Sequence, residues 1–266
     1  MPSTAVYSLF GDNAYGGPAG SQLKHSLPET WRQLPIKVQY LDDPMTGYRA
    51  HVYHNAAAKE VVIAFAGTNL TDRGDWSAIG DIVAGREPKQ LDNALATYNA
   101  VVRHLTREKK KAQIAFTGHS LGGALAQYMA IRVQGLPGET FGAPGILHAL
   151  EKLRPLYNSG YPYPVVNHVA LSDPIGMFGT HLGETKYYAL DAVDFIMPVA
   201  MPYLIRRLVV AGLMTYRGHS MDRYYQSFRH PGGSLQPTGK VTYKNGKRYE
   251  VFKRFNWSGV AKDEYI

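Results

Sequence analysis

The chain has 266 residues, of which 45% are hydrophobic, and its formal net charge is +8 at pH 7. This length can bury a sizeable core, and the composition is that of a globular protein rather than a disordered or fibrous one. The absence of cysteine excludes disulfides, zinc–thiolate sites and a cysteine nucleophile. Residues 1–17 have no positive stretch followed by an apolar one, so no signal peptide is predicted and we expect a protein that is cytoplasmic at synthesis.

The positive charge is concentrated near the C-terminus. Residues 229–262 contain eight lysines and arginines and a single acid, Glu250. Such a region is commonly a solvated face, and it can also meet anionic lipid or nucleic acid. Three aromatic residues, Tyr243, Tyr249 and Phe252, are interleaved with its lysines. Charge and aromatic residues alone do not define a nucleic-acid site, so we predict no nucleic-acid partner.

The first half of the chain alternates strand-like and helix-like segments. Residues 36–53 predict two strands joined by a turn at 42–47, where Asp, Pro and Gly cluster. Residues 60–67 are continuously apolar, which indicates a strand buried on both faces. Residues 93–111 have helical spacing of apolar side chains.

The alternation continues to the end of the chain. Residues 112–120 predict a second buried strand, 121–135 a second helix and 164–174 a third strand. Strands alternating with helices indicate an α/β fold with a largely parallel sheet. Residues 241–252 predict a β-hairpin around Asn-Gly, and we interpret 229–266 as a basic appendage to a single domain.

Ser120 lies in a Gly-x-Ser-x-Gly pattern, between Gly118 and Gly122. The pattern is weak evidence by itself, because glycine and serine are common. Here a buried strand precedes it and a helix follows directly, which is the context of a nucleophile elbow. The glycines permit a sharp turn, and the helix N-terminus brings backbone N–H groups near a developing oxyanion. The pattern therefore predicts a nucleophile rather than an ordinary turn serine.

A serine hydroxyl needs an adjacent base, and in α/β-hydrolases an acid and then a histidine follow the nucleophile in sequence. Asp173 is the leading acid, since it lies just past the end of a predicted strand, where open α/β sheets place their sites. Asp191 and Asp194 are the alternatives.

Three histidines follow the predicted acid: His181, His219 and His230. His181 comes eight residues later, His219 is in a polar loop entering a helix-like segment, and His230 precedes a Pro-Gly-Gly turn. Spacing alone leaves His181 and His219 both open, because catalytic groups converge in space rather than in sequence.

Five blocks of sequence between residues 61 and 224 occur in the order found in the class 3 lipases. They are FAGT (65–68), GHSLGGALA (118–126), SDP (172–174), HLGETKYY (181–188) and GHSMDRY (218–224). The chain resembles this family of esterases, which includes fungal triacylglycerol lipases and bacterial phospholipase A1-like proteins. The resemblance implies an α/β-hydrolase fold, a mostly parallel central sheet flanked by helices, with a helical cap or lid.

The resemblance also implies which residues act. It assigns a catalytic triad of Ser120, Asp173 and His219, and it makes His181 structural. In such a triad the histidine moves the proton, while the acid holds its tautomer and stabilises its cation. This chemistry requires no cofactor and no metal.

An oxyanion hole is implied by the same resemblance. Thr68 would contribute its backbone N–H and its hydroxyl, and Leu121 a second N–H. Each such donor lowers the barrier by about 3 kcal/mol. His119, beside the nucleophile, is expected to be a packing residue whose side chain points away from the cleft.

Two segments could form the lid. Residues 74–88 have the family's usual lid position but are only modestly apolar. Residues 194–216 are more apolar, and 195–214 are long enough to span a bilayer. Two prolines and the central pair Arg206-Arg207 oppose spanning. We therefore expect 194–216 to be a cap or a membrane-contact insertion.

The sequence thus predicts a serine carboxylic-ester hydrolase acting on acyl glycerolipids, with phospholipid favoured over triacylglycerol. The basic C-terminal region and the apolar segment 194–216 together suit transient contact with an anionic membrane surface. The alternatives are a small-ester esterase, an acyltransferase or thioesterase with the same triad, and a non-catalytic lipid- or partner-binding protein. Export without a signal peptide, as a toxic bacterial effector, is a further hypothesis and would require an immunity protein as a partner.

Overall fold

The structure is a computed structural model that describes residues 1–16, 23–34, 36, 41–67, 88–147, 163–189, 219–229, 237, 239–244, 247–255 and 261–265. Its helices are α1 (Thr4–Asn13), α2 (Gln90–Arg107), α3 (Leu121–Arg132) and α4 (Met221–Phe228). Its strands are β1 (Arg32–Gln33), β2 (Asp42–Asp43), β3 (Tyr48–Asn55), β4 (Glu60–Phe65), β5 (Gln113–His119), β6 (Gly138–Phe141), β7 (Val165–Ala170), β8 (Glu184–Tyr188), β9 (Gly239–Lys244), β10 (Lys247–Phe255) and β11 (Ala261–Tyr265).

One mixed sheet organises these elements. The strand order is β1-β3-β4-β5-β6-β7-β8-β9-β10-β11, and β2 also pairs with β3. Strands β4 to β8 run parallel to one another, whereas β3 and β9 to β11 are antiparallel to their neighbours. The predicted α/β fold with a largely parallel sheet is confirmed. Because parallel strands end at the same edge, the loops after β4, β5 and β7 meet there.

The central strands are buried on both faces, as the apolar run at 60–67 predicts. Val61, Ile63 and Phe65 belong to a core shared with α2 and α3. Val62 and Ala64 belong to a second core shared with α1 and α4. Alternate residues of β4 thus serve opposite cores, since side chains of a strand alternate between its faces.

Helix α1 is the main element that the sequence analysis did not predict. Its N-cap is Ser3, whose hydroxyl accepts a hydrogen bond from the backbone N–H of Val6 at 3.4 Å. The helix buries Tyr7, Leu9 and Phe10 against the sheet and packs against α4. It therefore supports the helix that begins two residues after His219.

Helix α3 is buried on all sides, from Leu121 to Ile131, rather than along one stripe. Its first turn touches the end of β4 so closely that a Cβ on Gly122 would overlap the carbonyl oxygen of Phe65. A Cβ on Gly118 would in turn overlap the backbone of Gly122. The two glycines are needed for this close approach of strand, turn and helix.

The C-terminal strands differ from the expected appendage. β9 pairs antiparallel with β8, so the main sheet continues directly into these strands. β9 and β10 flank positions 245–246, and β11 adds a further strand that was not predicted. The sheet continues because β8, whose other edge pairs with β7, offers a free edge to β9.

Both predicted lid segments fall on residues that the structure leaves out: 194–216 lies entirely outside the described residues, and only residue 88 of 74–88 lies within them. Among the residues that are described, no helix has the length and apolar character needed to cross a membrane.

Candidate active site

Ser120 occupies the sharp turn between β5 and α3. Its backbone has φ 57° and ψ −128°, a left-handed conformation that costs a non-glycine residue about 1–3 kcal/mol. Its N–H donates to the carbonyl of Phe141 at 3.1 Å, and its hydroxyl makes no capping bond to α3. The turn therefore leaves Oγ uncommitted to α3 at the edge of the sheet, as a nucleophile elbow does.

The structure brings Ser120, His219 and Asp173 together in one hydrogen-bonded line. His219 Nε2 lies 2.7 Å from Ser120 Oγ, and its Nδ1 lies 2.9 Å from Asp173 Oδ1. All three residues are at most 2% exposed. The distances are those of a nucleophile, a base and a group that orients the base.

Asp173 is fully buried and its carboxylate is held on every side. The backbone N–H groups of Ile175 and Gly176 each donate to Oδ1 at 3.0 Å. The hydroxyl of Tyr224 donates to Oδ2 at 2.8 Å. These donors compensate the loss of water, because a buried carboxylate is stable only when it is paired or hydrogen-bonded.

Tyr224 is a site residue that the sequence analysis missed. It lies on α4, five residues after His219, and its hydroxyl also accepts a hydrogen bond from the N–H of Ala170 at 2.9 Å. Burial, with the nearby charge of Asp173, raises the pKa of Tyr224 well above 10, so its hydroxyl stays a donor. Its only signal in the sequence is its place in the GHSMDRY block.

His119 does not point away from the site as expected. Its ring lies 4.6 Å from the ring of His219, at an interplanar angle of 33°. Its Nδ1 shares a 2.6 Å hydrogen bond with the hydroxyl of Tyr15. Burial, together with the facing His219, holds the pKa of His119 well below its ordinary value, so the ring is neutral.

Tyr15 joins His119 to the loop that follows β4. A Cβ on Gly67 would overlap both the Tyr15 hydroxyl and the carbonyl oxygen of His119. Gly67 directly precedes Thr68, the predicted oxyanion residue, which itself lies outside the described residues. Tyr15 and His119 thus lie between Gly67 and the predicted base, His219.

The second predicted oxyanion donor, Leu121, is the first residue of α3. A helix leaves its first N–H groups without an intrahelical partner, so the N–H of Leu121 stays the predicted second donor. The alternative acids Asp191 and Asp194, and the alternative base His230, lie outside the described residues.

His181 is kept out of the triad by its own hydrogen bond. Its Nε2 donates to the carbonyl of Ala143 at 2.7 Å, and the side chain is buried. Burial lowers the pKa of His181 to about 4, which keeps the ring neutral. The residue ties two loops together, as a structural histidine would.

Within the described ranges, no group of three or more His, Asp or Glu side chains is arranged to hold a metal ion. The arrangement that is present can move one proton from Ser120 to His219 and stabilise the resulting imidazolium with Asp173.

The fold and this geometry define an α/β-hydrolase with a Ser-His-Asp arrangement at the carboxyl edge of its sheet. The sequence matches a phospholipase-like family model, described as the Tle-like phospholipase domain, over residues 3–155, more than half of the chain. The chain belongs to this family.

The chain is also similar to a curated protein named as a lipase. The chain is 31% identical over 155 residues to "Putative lipase ATG15" of Eremothecium gossypii, an alignment covering 44% of this chain and 28% of that protein. The chain thus spans about a quarter of the length of this curated relative.

The fold is similar to that of fungal lipases of known structure. A fungal lipase–inhibitor complex superposes with a TM-score of 0.51 at 19% identity, over 70% of this chain and 78% of the lipase. The Lip2 lipase of Yarrowia lipolytica gives 0.48 at 17% identity, over 69% of this chain and 77% of that one. The predicted lipase-like family is confirmed by the family model, and the predicted α/β-hydrolase fold by the similarity to the fungal lipase–inhibitor complex.

Replacing Tyr224 by Phe tests how the acid is held. We expect kcat for p-nitrophenyl butyrate to fall about 10- to 100-fold with little change in KM, because a hydrogen bond to a charged group contributes about 1.5–3 kcal/mol. Tyr53→Phe is the matched control, since the buried Tyr53 hydroxyl has no hydrogen-bond partner among the described residues. Equal kinetics for the two variants would contradict a role for Tyr224 in orienting Asp173.

Tyr15→Phe removes the hydroxyl that fixes His119. We expect kcat to fall about fivefold, because the ring that packs against His219 loses its anchor. Tyr7→Phe on α1 provides the comparison, since the Tyr7 hydroxyl is buried and has no hydrogen-bond partner in the described part of the chain. A change in KM alone would argue against a positioning role.

His181 makes the free energy of unfolding depend on pH. Its pKa is 6.5 when unperturbed and about 4 in the folded chain, so the unfolded state binds the proton first as the pH falls. The free energy of unfolding should therefore decrease from about pH 6.5 to about pH 4, by up to about 3 kcal/mol from this residue. Urea unfolding across this range should show a weaker pH dependence in His181→Gln. Identical slopes in the two proteins would refute this assignment.

Proposed function

We propose that the chain is a serine carboxylic-ester hydrolase that cleaves acyl esters of glycerolipids through an acyl-enzyme. The observation that carries this proposal is the continuous line from Ser120 Oγ to His219 Nε2, 2.7 Å, and from His219 Nδ1 to Asp173 Oδ1, 2.9 Å. Its support beyond geometry is membership in a phospholipase-like family.

The first half of the reaction forms the acyl-enzyme. Ser120 Oγ attacks the ester carbonyl while His219 Nε2 takes its proton, and the negative charge passes to the carbonyl oxygen. The N–H of Leu121 and the groups of Thr68 would stabilise that oxygen. His219 then gives the proton to the leaving alcohol as the ester bond breaks, and the acyl group stays on Ser120.

The second half releases the fatty acid. His219 takes a proton from water, the resulting hydroxide attacks the acyl carbonyl, and the proton returns to Ser120 Oγ as the fatty acid leaves. Asp173 remains ionised throughout and stabilises the imidazolium in both halves. The hydrogen bonds from Ile175, Gly176 and Tyr224 keep that carboxylate in place.

A phospholipid is the substrate class that we favour. The family description names a phospholipase, and the net charge of +8 favours an anionic membrane surface. On this proposal 194–216 or 74–88 covers the acyl site and the protein meets membranes transiently. Delivery as a bacterial effector, with an immunity protein in its producer, stays a hypothesis about location.

The decisive experiment is fatty-acid release from mixed phosphatidylglycerol and phosphatidylethanolamine vesicles, with wild type beside Ser120→Ala. We expect the wild type to release fatty acid and the variant to lose at least about a thousandfold in rate, because the nucleophile is gone. p-Nitrophenyl butyrate, run in parallel, separates a phospholipase from a small-ester esterase. Turnover of the soluble ester alone would remove the phospholipid from the proposal and keep the triad.

A serine-reactive fluorophosphonate distinguishes an inactive site from an unsuitable substrate. It should label the wild-type protein and leave Ser120→Ala unlabelled, because only an activated serine attacks the phosphorus centre. A folded wild-type protein that neither labels nor hydrolyses either substrate would overturn the proposed function and favour the non-catalytic, lipid- or partner-binding alternative.

A further inference from the structure

A cavity lies at the opposite end of the sheet from Ser120. It has a volume of about 440 Å³ and is bounded by the turn from β3 to β4, the C-terminal end of α2 and the start of β5. This volume is within the range of small-molecule sites, about 300–1,000 Å³. Its charged and titratable lining consists of Lys59, Lys109, Lys110, Lys111, His54, His104 and Glu60.

The lining of this cavity carries an excess of unpaired positive charge. Four lysines face a single acid, Glu60. In the part of the chain that the structure describes, none of the four ammonium groups has a hydrogen-bond or ion-pair partner. Ammonium groups gathered around a concave site attract anions more strongly than the same groups on a flat surface.

Two rigid turns bring these lysines together. Lys59 and Lys109 both have left-handed backbones, with φ 55° and 51°. The carbonyl of Lys59 accepts a hydrogen bond from Gln113 at 2.8 Å, and the N–H of Lys110 donates to Leu105 at 2.9 Å. The lysines after α2 also suit the negative end of the helix dipole, but that does not explain Lys59, which comes from a different turn.

His54 lines the cavity, and its pKa responds to the positive charges around it. His54 is half-buried on β3, and its pKa is lowered by burial first and then by the charges of Lys110, His104 and Arg32. A bound anion would act on the same ring in the opposite direction, because an opposite charge favours the protonated form.

We propose that this cavity is a binding site for a small anion that carries several phosphate charges. Phosphate oxygens can accept hydrogen bonds from several ammonium groups at once. β5 runs from Gln113 at the cavity to His119 beside the nucleophile, which separates the two sites by about 20 Å at about 3.3 Å per residue. The anion site is therefore distinct from the ester site, and the proposal does not depend on the hydrolase function.

The test uses inorganic tripolyphosphate as the probe at low ionic strength, where exposed charges are least screened. NMR titration of His54, assigned with His54→Gln, should show its pKa rising by about one unit when tripolyphosphate is present. Calorimetry should show binding that weakens about tenfold in Lys110→Gln. No rise in the His54 pKa and no measurable binding would overturn the proposal.

Lys89→Gln is the matched control. Lys89 is an exposed lysine at the N-terminal end of α2, about 27 Å along the helix from the cavity. The Lys89→Gln substitution removes the same charge as Lys110→Gln. Equal weakening of tripolyphosphate binding in both variants would therefore overturn the proposal in favour of non-specific attraction. The far-ultraviolet circular dichroism spectrum should be unchanged in both, which verifies that they are folded.

Vesicles identify the source of the phosphate groups. Phosphatidylcholine vesicles with and without a phosphatidylinositol phosphate are compared by sedimentation with wild type and Lys110→Gln. Binding to tripolyphosphate without Lys110-dependent vesicle binding assigns the site to a soluble anion. Vesicle binding that requires both the phosphoinositide and Lys110 assigns it to a lipid headgroup.

Discussion

The buried carboxylate of Asp173 is the constraint around which the site is built. An ionised group without water is stable only if hydrogen bonds replace its solvent, and here two backbone N–H groups, Tyr224 and His219 do so. These four donors fix three parts of the chain: the loop after β7, which supplies both N–H groups, helix α4 and the base itself. The orientation of the His219 imidazole is thus a consequence of the hydrogen bonds that the buried carboxylate of Asp173 requires.

The nucleophile depends on a different constraint, the lack of space at the end of β4. Gly118 and Gly122 let strand β5 and helix α3 approach the backbone of Phe65, and Ser120 takes a left-handed conformation as a result. The strain is sustained because α3 is buried along its length. Packing of the two cores therefore holds the reactive turn in a conformation that it would not adopt alone.

Local patterns could predict the strand–turn–helix around Ser120 and the position of Asp173 at a strand end. They could not choose between His181 and His219, because both follow the acid and only their partners in space separate them: Ser120 and Asp173 for His219, the carbonyl of Ala143 for His181. Tyr224 and Tyr15 escaped prediction because their partners lie 51 and 104 residues away in sequence. Strand β6, of four residues, is too short for a periodicity, and α1 is buried continuously from Tyr7 to Asn13, so no single apolar stripe marks it as a helix.

The packing of α4 on α1 has a consequence for synthesis. A chain that has emerged only as far as Asp173 contains the nucleophile and the acid but not the base. Even when His219 has emerged, its helix must still dock on α1, where Met221 contacts Gly11. On the proposed mechanism, the nascent protein is hydrolytically silent until α1 and α4, which lie far apart in the sequence, have packed together.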